Sequence, residues 1–222
     1  MDTEKIENNI NYYFKNKNLL KTALTHTSYA NENNVNSYEK LEFLGDSILE
    51  FVSSKYLYNH FQELTEGELT KVRAQVVCED SLKNVAIKHE FYNYILVGKS
   101  ERANEGNKKT AILADCVEAV IAAIYFDGGL NKAEEFIIDN LKEAMEYAAK
   151  HIGMKDYKTV LQEKLQKNGD VHIEYNIVKE EGPDHDKLFT AEVKCDGILL
   201  ARGEGKSKKM AEMQAAKIAL EE

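Results

Sequence analysis

Apolar residues recur every three to four positions through long stretches of the chain up to about Lys150, as in LEFLGDSILEFVSSKYLYNHF and AILADCVEAVIAAIYF. That period buries one face of a helix. No proline interrupts these stretches, so helices are predicted throughout residues 1–150. Beyond HIGMKDYKT the period changes, and from Val171 onward HIEYNIVKEE, LFTAEVKCDG and ILLARGEG alternate as half-buried strands do. The chain's one proline, Pro183, falls between the first two, and Asp196-Gly197 between the second and third is a tight-turn signal. A short helix (TVLQEKLQKNG) precedes the strands and another (KSKKMAEMQAAKIALEE) follows them. The pattern thus predicts an all-α domain over residues 1–150 and a small α+β unit of order α-β-β-β-α over 155–222, joined by a short linker near 151–155.

Charge complicates the picture. With 29 Lys and Arg against 38 Asp and Glu the chain carries −9, whereas a protein that grips a polyanion normally draws on an excess of cations. From Lys155 onward there are 12 Lys and Arg against 14 Asp and Glu, about −2, so about −7 resides in the helical part. Carboxylates gathered around metal ions would account for such a concentration, because bound ions invert the local field. Cys78, Cys116 and Cys195 have neither zinc-site spacing nor the even number of a disulfide framework, which fits a reducing cytoplasm. No run of about 18 apolar residues occurs and the chain begins polar, so a soluble, cytoplasmic protein is expected.

Two helical segments carry the acids. In YEKLEFLGDSILEF, Leu41, Leu44, Ile48 and Phe51 fall on one side of a helix, while Glu39, Glu42 and Asp46 lie within an arc of roughly 60° on the other. A solvated face would produce that much by itself. In AILADCVEAVIAAIYF the only charges are Asp115 and Glu118, one turn apart on a helix apolar all round, which is normally a buried helix. Two desolvated carboxylates that close need a cation or must take up protons. Glu42, Asp46, Asp115 and Glu118 would form an all-oxygen set suited to Mg²⁺ or Mn²⁺ and ill suited to zinc. The alternative is that these acids cap helices or pair with Arg73 and lysines.

Glu39-Lys40-Leu41-Glu42-Phe43-Leu44-Gly45-Asp46-Ser47 resembles the signature motif of bacterial ribonuclease III, and Ile112-Leu113-Ala114-Asp115 with Glu118 resembles its second acidic motif. Leu24-Thr25-His26, Glu66-Gly67 and Val72-Arg73-Ala74 are similar to its other blocks. The resemblance implies that Glu42, Asp46, Asp115 and Glu118 bind Mg²⁺, with Mn²⁺ able to substitute. Asp46 and Glu118 would be the pair on which hydrolysis most depends, and Glu39 and Glu66 would place the scissile strand. It implies too that Phe43, otherwise readable as second-layer core, inserts into a socket on a second copy of the chain. In such a homodimer each site would cut one strand of a duplex. Departures are small: Tyr38 stands where many members have Asn, and Asn107-Lys108-Lys109-Thr110 replaces a stretch often richer in Arg or Pro.

The last unit resembles a double-stranded RNA-binding domain through Thr159-Val160-Leu161-Gln162-Glu163, Gly182-Pro183-Asp184-His185 and Lys206-Ser207-Lys208-Lys209 before Ala211 and Ala215-Ala216. That likeness implies that Gln162 and Glu163 enter one minor groove, His185 the next, and Lys206, Lys208 and Lys209 span the phosphates between. A lysine cluster at a helix start also reads as simple solvation, and His185 as an ordinary loop histidine. Together the motifs imply an endoribonuclease that cuts double-stranded RNA, yielding 5′-phosphate and 3′-hydroxyl ends with short 3′ overhangs, and processing ribosomal RNA precursors and structured transcripts. The alternative is a double-stranded RNA-binding regulator without cleavage, which would be expected to lack Asp46, Asp115 or Glu118.

Overall fold

A computed structural model describes residues 3–152, 157–167, 171–183 and 187–221. The chain forms two compact units, Met1–Ile152 and Gly153–Glu222. Among the described residues of the first, nine α-helices follow one another: α1 (Glu4–Ile10), α2 (Lys17–Ala23), α3 (Thr27–Asn33), α4 (Glu39–His60), α5 (Glu66–Val76), α6 (Glu79–Lys88), α7 (Lys99–Ala103), α8 (Thr110–Gly128) and α9 (Leu130–His151). Short 3₁₀ turns lie at Phe91–Asn93 and Gly106–Lys108.

The sequence explains which helix is central. Helix α8 is apolar on every side, and α2, α4, α6 and α9 pack around it, burying Ile112 to Ala114 and Ala119 to Ile124. The chain stops α8 with Gly129 at φ +83°, a conformation open to glycine, and restarts as α9. Asp127, near the end of α8, accepts hydrogen bonds from the Tyr12 hydroxyl (2.8 Å) and from the amides of Lys15 (3.0 Å) and Asn16 (2.8 Å), which ties the N-terminal segment down. Glu7, fully buried, accepts from the Phe14 amide at 2.8 Å and pairs with Lys17 at 2.5 Å. Helix α5 opens with a capping box between Thr65 and Glu68.

Helix α4 departs from the expected stripe at one place. Leu41 and Ile48 are buried and Leu44 half-buried, but Phe51 is 55% exposed. At 100° per residue Phe51 lies roughly 80° round from Leu41, so the contact with α8 and α9 follows Leu49, Val52 and Tyr56 instead.

The second unit contains α10 (Tyr157–Gln166), β1 (Ile173–Glu181), β2 (Leu188–Cys195), β3 (Ile198–Gly205) and α11 (Lys208–Glu221), the order the alternation predicts. The strands form one antiparallel sheet, β1-β2-β3, with register irregularities at Ile177/Lys179 and Val193/Lys194. Asp196 (φ 49°) and Gly197 (φ 80°) supply the two left-handed residues of the β2–β3 turn. Leu161 of α10 packs with Val193, Ala201, Ala215 and Ala216 in a small core. Helix α11 rests directly on β3, because a Cβ on Gly203 would come within 2.1 Å of the Ala215 nitrogen and one on Gly205 within 2.5 Å of the Ala211 nitrogen.

Candidate active site

The first turns of α4 lie against the middle of α8, and the approach is set by Gly45. A Cβ there would sit 1.8 Å from the Glu118 carbonyl oxygen, so only glycine lets the helices touch at this point. The consequence is that Glu42 on α4 and Asp115 and Glu118 on α8 each present a carboxylate oxygen within 4.8 Å of the others, all half-buried.

Their protonation reflects that crowding. The Glu118 carboxyl is pushed up to about 8, first by burial and then by the charges of Asp46, Asp115, Glu42 and Glu79. Glu42 is raised by burial and by Asp115, Glu39 and Asp46. Asp115 is raised by burial and by Glu79, against the opposing hydrogen bond from Tyr38 and the influence of His26. Carboxyls that raise one another in a half-buried cleft are groups suited to sharing a positive charge. An all-oxygen donor set with solvent on one side fits a hard divalent ion that keeps part of its water shell.

The remaining expected residues take different places. Asp46 is exposed one turn beyond Glu42 and outside the 4.8 Å group, yet its charge bears most on Glu118 after burial. Glu39 is exposed, accepts from the Ser37 hydroxyl at 2.9 Å and raises Glu42. Glu66 opens α5, accepts from the Thr70 hydroxyl at 3.1 Å, and is not among the charges that raise the three clustered acids. It instead borders a groove of about 470 Å³ lined by Leu57, Tyr58, Leu64, Leu69 and Arg73. Phe43 is 78% exposed. Arg73 does not neutralise the cluster; it donates to the Ser54 hydroxyl at 2.8 Å and lies 3.5 Å from Glu50. Lys108 and Lys109 pair with Glu105 (2.6 Å) and Glu101 (2.8 Å).

Two contributors escape sequence reasoning. Glu79, the first residue of α6, bears on both Asp115 and Glu118. An acid at a helix start is commonplace, and only the packing of α6 on α8 turns this one toward the cluster. Tyr38, noticed in the sequence only as a departure from the family, is 2% exposed and donates its hydroxyl hydrogen to Asp115 Oδ2 at 3.1 Å.

In the second unit, Gln162 and Glu163 are exposed on α10. Lys206, Lys208 and Lys209 are exposed around the start of α11, where the Ser207 hydroxyl accepts from the Met210 amide at 3.2 Å. Lys208 also pairs with Glu180 at 2.8 Å. His185 lies outside the described residues.

A helical domain with a metal-ready carboxylate cluster, followed by an α-β-β-β-α module with basic residues at a helix start, defines a two-part nuclease with its own nucleic-acid-binding module. The family described as Ribonuclease-III-like matches residues 16–145, and the one described as double-stranded RNA binding motif matches residues 157–222. The chain is 47% identical over 218 residues to Ribonuclease 3 of Clostridium kluyveri, covering 98% of this chain and 89% of the relative. It is 46% identical over 221 residues to Ribonuclease 3 of Enterococcus faecalis, covering 98% and 96%. The solved nuclease domain of ribonuclease III from Campylobacter jejuni superposes with a TM-score of 0.61 at 37% identity, covering 64% of this chain and 98% of that domain. The chain belongs to the ribonuclease III family.

Proposed function

We propose that the chain is an endoribonuclease hydrolysing phosphodiester bonds of double-stranded RNA, with residues 1–150 as catalytic domain and 155–222 as RNA-binding domain. The observation that carries this reading is the meeting of Glu42, Asp115 and Glu118 within 4.8 Å at the α4–α8 contact. These three would hold Mg²⁺, with Mn²⁺ able to substitute, and Asp46 would complete the set from the solvent side. A divalent ion there supplies Lewis acidity and a nucleophilic water, the chemistry that leaves a 5′-phosphate and a 3′-hydroxyl. With such an ion held among the acids, Glu118 would be ionised. Asp46 and Glu118 are the pair assigned to hydrolysis, and Glu39 is assigned to placing the scissile strand.

A homodimer fits the outer surface. Phe43 is a large exposed aromatic on the helix that bears the site, and the groove beside Glu66 is apolar enough to receive it from a second copy. Glu66 would then serve from the rim of that contact. Two sites on one duplex produce offset cuts and short 3′ overhangs. The RNA-binding module reads A-form shape, with Gln162 and Glu163 in one minor groove, His185 in the next, and Lys206, Lys208 and Lys209 on phosphates at the amide-rich start of α11. Membership of the family implies ribosomal RNA precursors and structured transcripts as substrates, and three free thiols suit the cytoplasm.

The test is incubation with a fully paired RNA duplex, with Mg²⁺ or with a chelator, followed by analysis of the ends. Wild type should cut only with the metal, while Asp46→Asn and Glu118→Gln should bind duplex without cutting. Binding without cleavage by wild type under Mg²⁺ and Mn²⁺ alike would replace this reading with a non-cleaving RNA-binding regulator.

A further inference from the structure

Asp115 is the only clustered acid shown to receive a hydrogen bond from a neutral side chain of another segment, among the described residues. The donor, Tyr38, is held from several directions. Its amide donates to the Thr25 carbonyl at 2.9 Å, and its own carbonyl accepts the amides of Leu41 (2.8 Å) and Glu42 (2.9 Å), starting α4. Thr25 is itself paired in a short parallel bridge with Leu96, and the His26 amide donates to the Leu96 carbonyl at 3.0 Å. The His26 ring meets the Tyr38 ring edge-on at 5.7 Å. That imidazole is fixed in turn: its Nδ1 accepts from the Ser28 amide at 3.1 Å, capping α3.

The segment Leu24-Thr25-His26 therefore acquires a purpose the acid cluster alone does not explain. It builds a rigid seat for one phenol, and the phenol reaches one carboxylate oxygen on another helix. A tyrosine packed only for its ring would need no such alignment. A phenol is protonated near neutral pH, so towards the carboxylate oxygen it acts as a donor. With Oδ2 engaged, the Asp115 carboxylate loses rotational freedom about its side chain, which reduces the ordering that ion binding would otherwise require.

We propose that Tyr38 is a positioning residue for metal binding, orienting the Asp115 carboxylate through its hydroxyl from a seat built by Thr25 and His26. This rests on the metal-site reading above. Tyr38 touches neither the ion nor the RNA in this role; it acts through Asp115.

The experiment is a Mn²⁺ titration of the full chain, without RNA, by calorimetry or by loss of the free-ion paramagnetic resonance signal. It compares wild type, Tyr38→Phe, Asp115→Asn and the double variant, with thermal midpoints measured alongside. Removing an outer hydrogen-bond partner of a ligand typically weakens a site by roughly 10- to 100-fold. Tyr38→Phe should therefore bind Mn²⁺ at least about ten-fold more weakly, and adding it to Asp115→Asn should cost less than two-fold. Duplex cleavage by Tyr38→Phe should fall at low Mg²⁺ and recover at high Mg²⁺, a pattern that a general loss of stability does not give. If Tyr38→Phe does not fold, 3-fluorotyrosine at position 38 keeps the ring and makes the hydroxyl a stronger donor, and should tighten Mn²⁺ binding. Unchanged Mn²⁺ affinity in Tyr38→Phe, with affinity lost in Asp115→Asn, would overturn the role of Tyr38 while leaving the site intact. Unchanged affinity in Asp115→Asn would overturn both.

Discussion

Replacing Gly45 by alanine isolates the contact on which the site depends. The added Cβ would lie 1.8 Å from the Glu118 carbonyl oxygen and 2.4 Å from its carbon, whereas ordinary contact begins near 3.4 Å. Because the atoms it meets are backbone, no side chain can swing aside, and α4 and α8 must part by about 1.6 Å, the difference between 3.4 and 1.8 Å. Overpacking of a tight core typically costs 1–3 kcal/mol, and a backbone obstacle belongs at the upper end, about 3 kcal/mol. For a unit of this size that lowers the melting midpoint by roughly 6–12 °C. The same separation moves Glu42 away from Asp115 and Glu118, and misplacement on the order of 1 Å at a catalytic site can cost about 100-fold in rate. The assay pairs differential scanning calorimetry with single-turnover cleavage of a paired RNA. Gly67→Ala is the control: a Cβ there meets nothing within 4 Å, so stability should hold or rise by up to about 1 kcal/mol. A Gly45→Ala protein with wild-type midpoint and wild-type cleavage would show that neither the α4–α8 packing nor the site depends on the close approach at Gly45.

Three further outcomes follow from particular groups. Glu118 is raised from 4.5 to about 8, so the metal-free folded state holds a proton that the unfolded chain releases above pH 4.5. Its contribution to stability is complete below that value and is lost as pH rises through about 8. The metal-free midpoint should therefore be lower at about pH 9 than at about pH 6, with Glu118→Gln removing much of the difference and Mg²⁺ restoring the alkaline loss. Glu7→Ala leaves the buried Phe14 amide without its acceptor, while Lys17, nearly half exposed, is hydrated instead, and should cost about 1–3 kcal/mol in urea denaturation. Phe43→Ala should leave the stability of a single chain within about 0.5 kcal/mol, because the ring is exposed, yet shift sedimentation velocity from dimer to monomer.

The elements were legible because their signals are local. An apolar run with two acids reads as a buried helix, and α8 is one; Asp196-Gly197 reads as a left-handed turn, and both residues have positive φ. Residue type and spacing pointed to Glu42, Asp46, Asp115 and Glu118 as one set; Glu42, Asp115 and Glu118 present oxygens within 4.8 Å of one another, and Asp46 lies outside that group. What the sequence did not display belongs to packing. Glu79 looks like any acid at a helix start until α6 lies on α8. Tyr38 stands out in the sequence only as a departure from the family's usual Asn until its hydroxyl finds Asp115, 77 positions away. Phe51 appeared to continue the buried stripe of α4, but the drift of a 3.6-residue turn carries it to the surface.

On the proposed function, divalent metal held among Glu42, Asp115 and Glu118 drives duplex cleavage. Crystals of the full chain soaked in Mn²⁺ and measured for anomalous scattering locate the ion. A peak is expected within direct coordination distance of these three carboxylates, absent in Glu118→Gln crystals that still bind duplex RNA. A peak elsewhere, or none at Mn²⁺ concentrations that support cleavage, would contradict that reading.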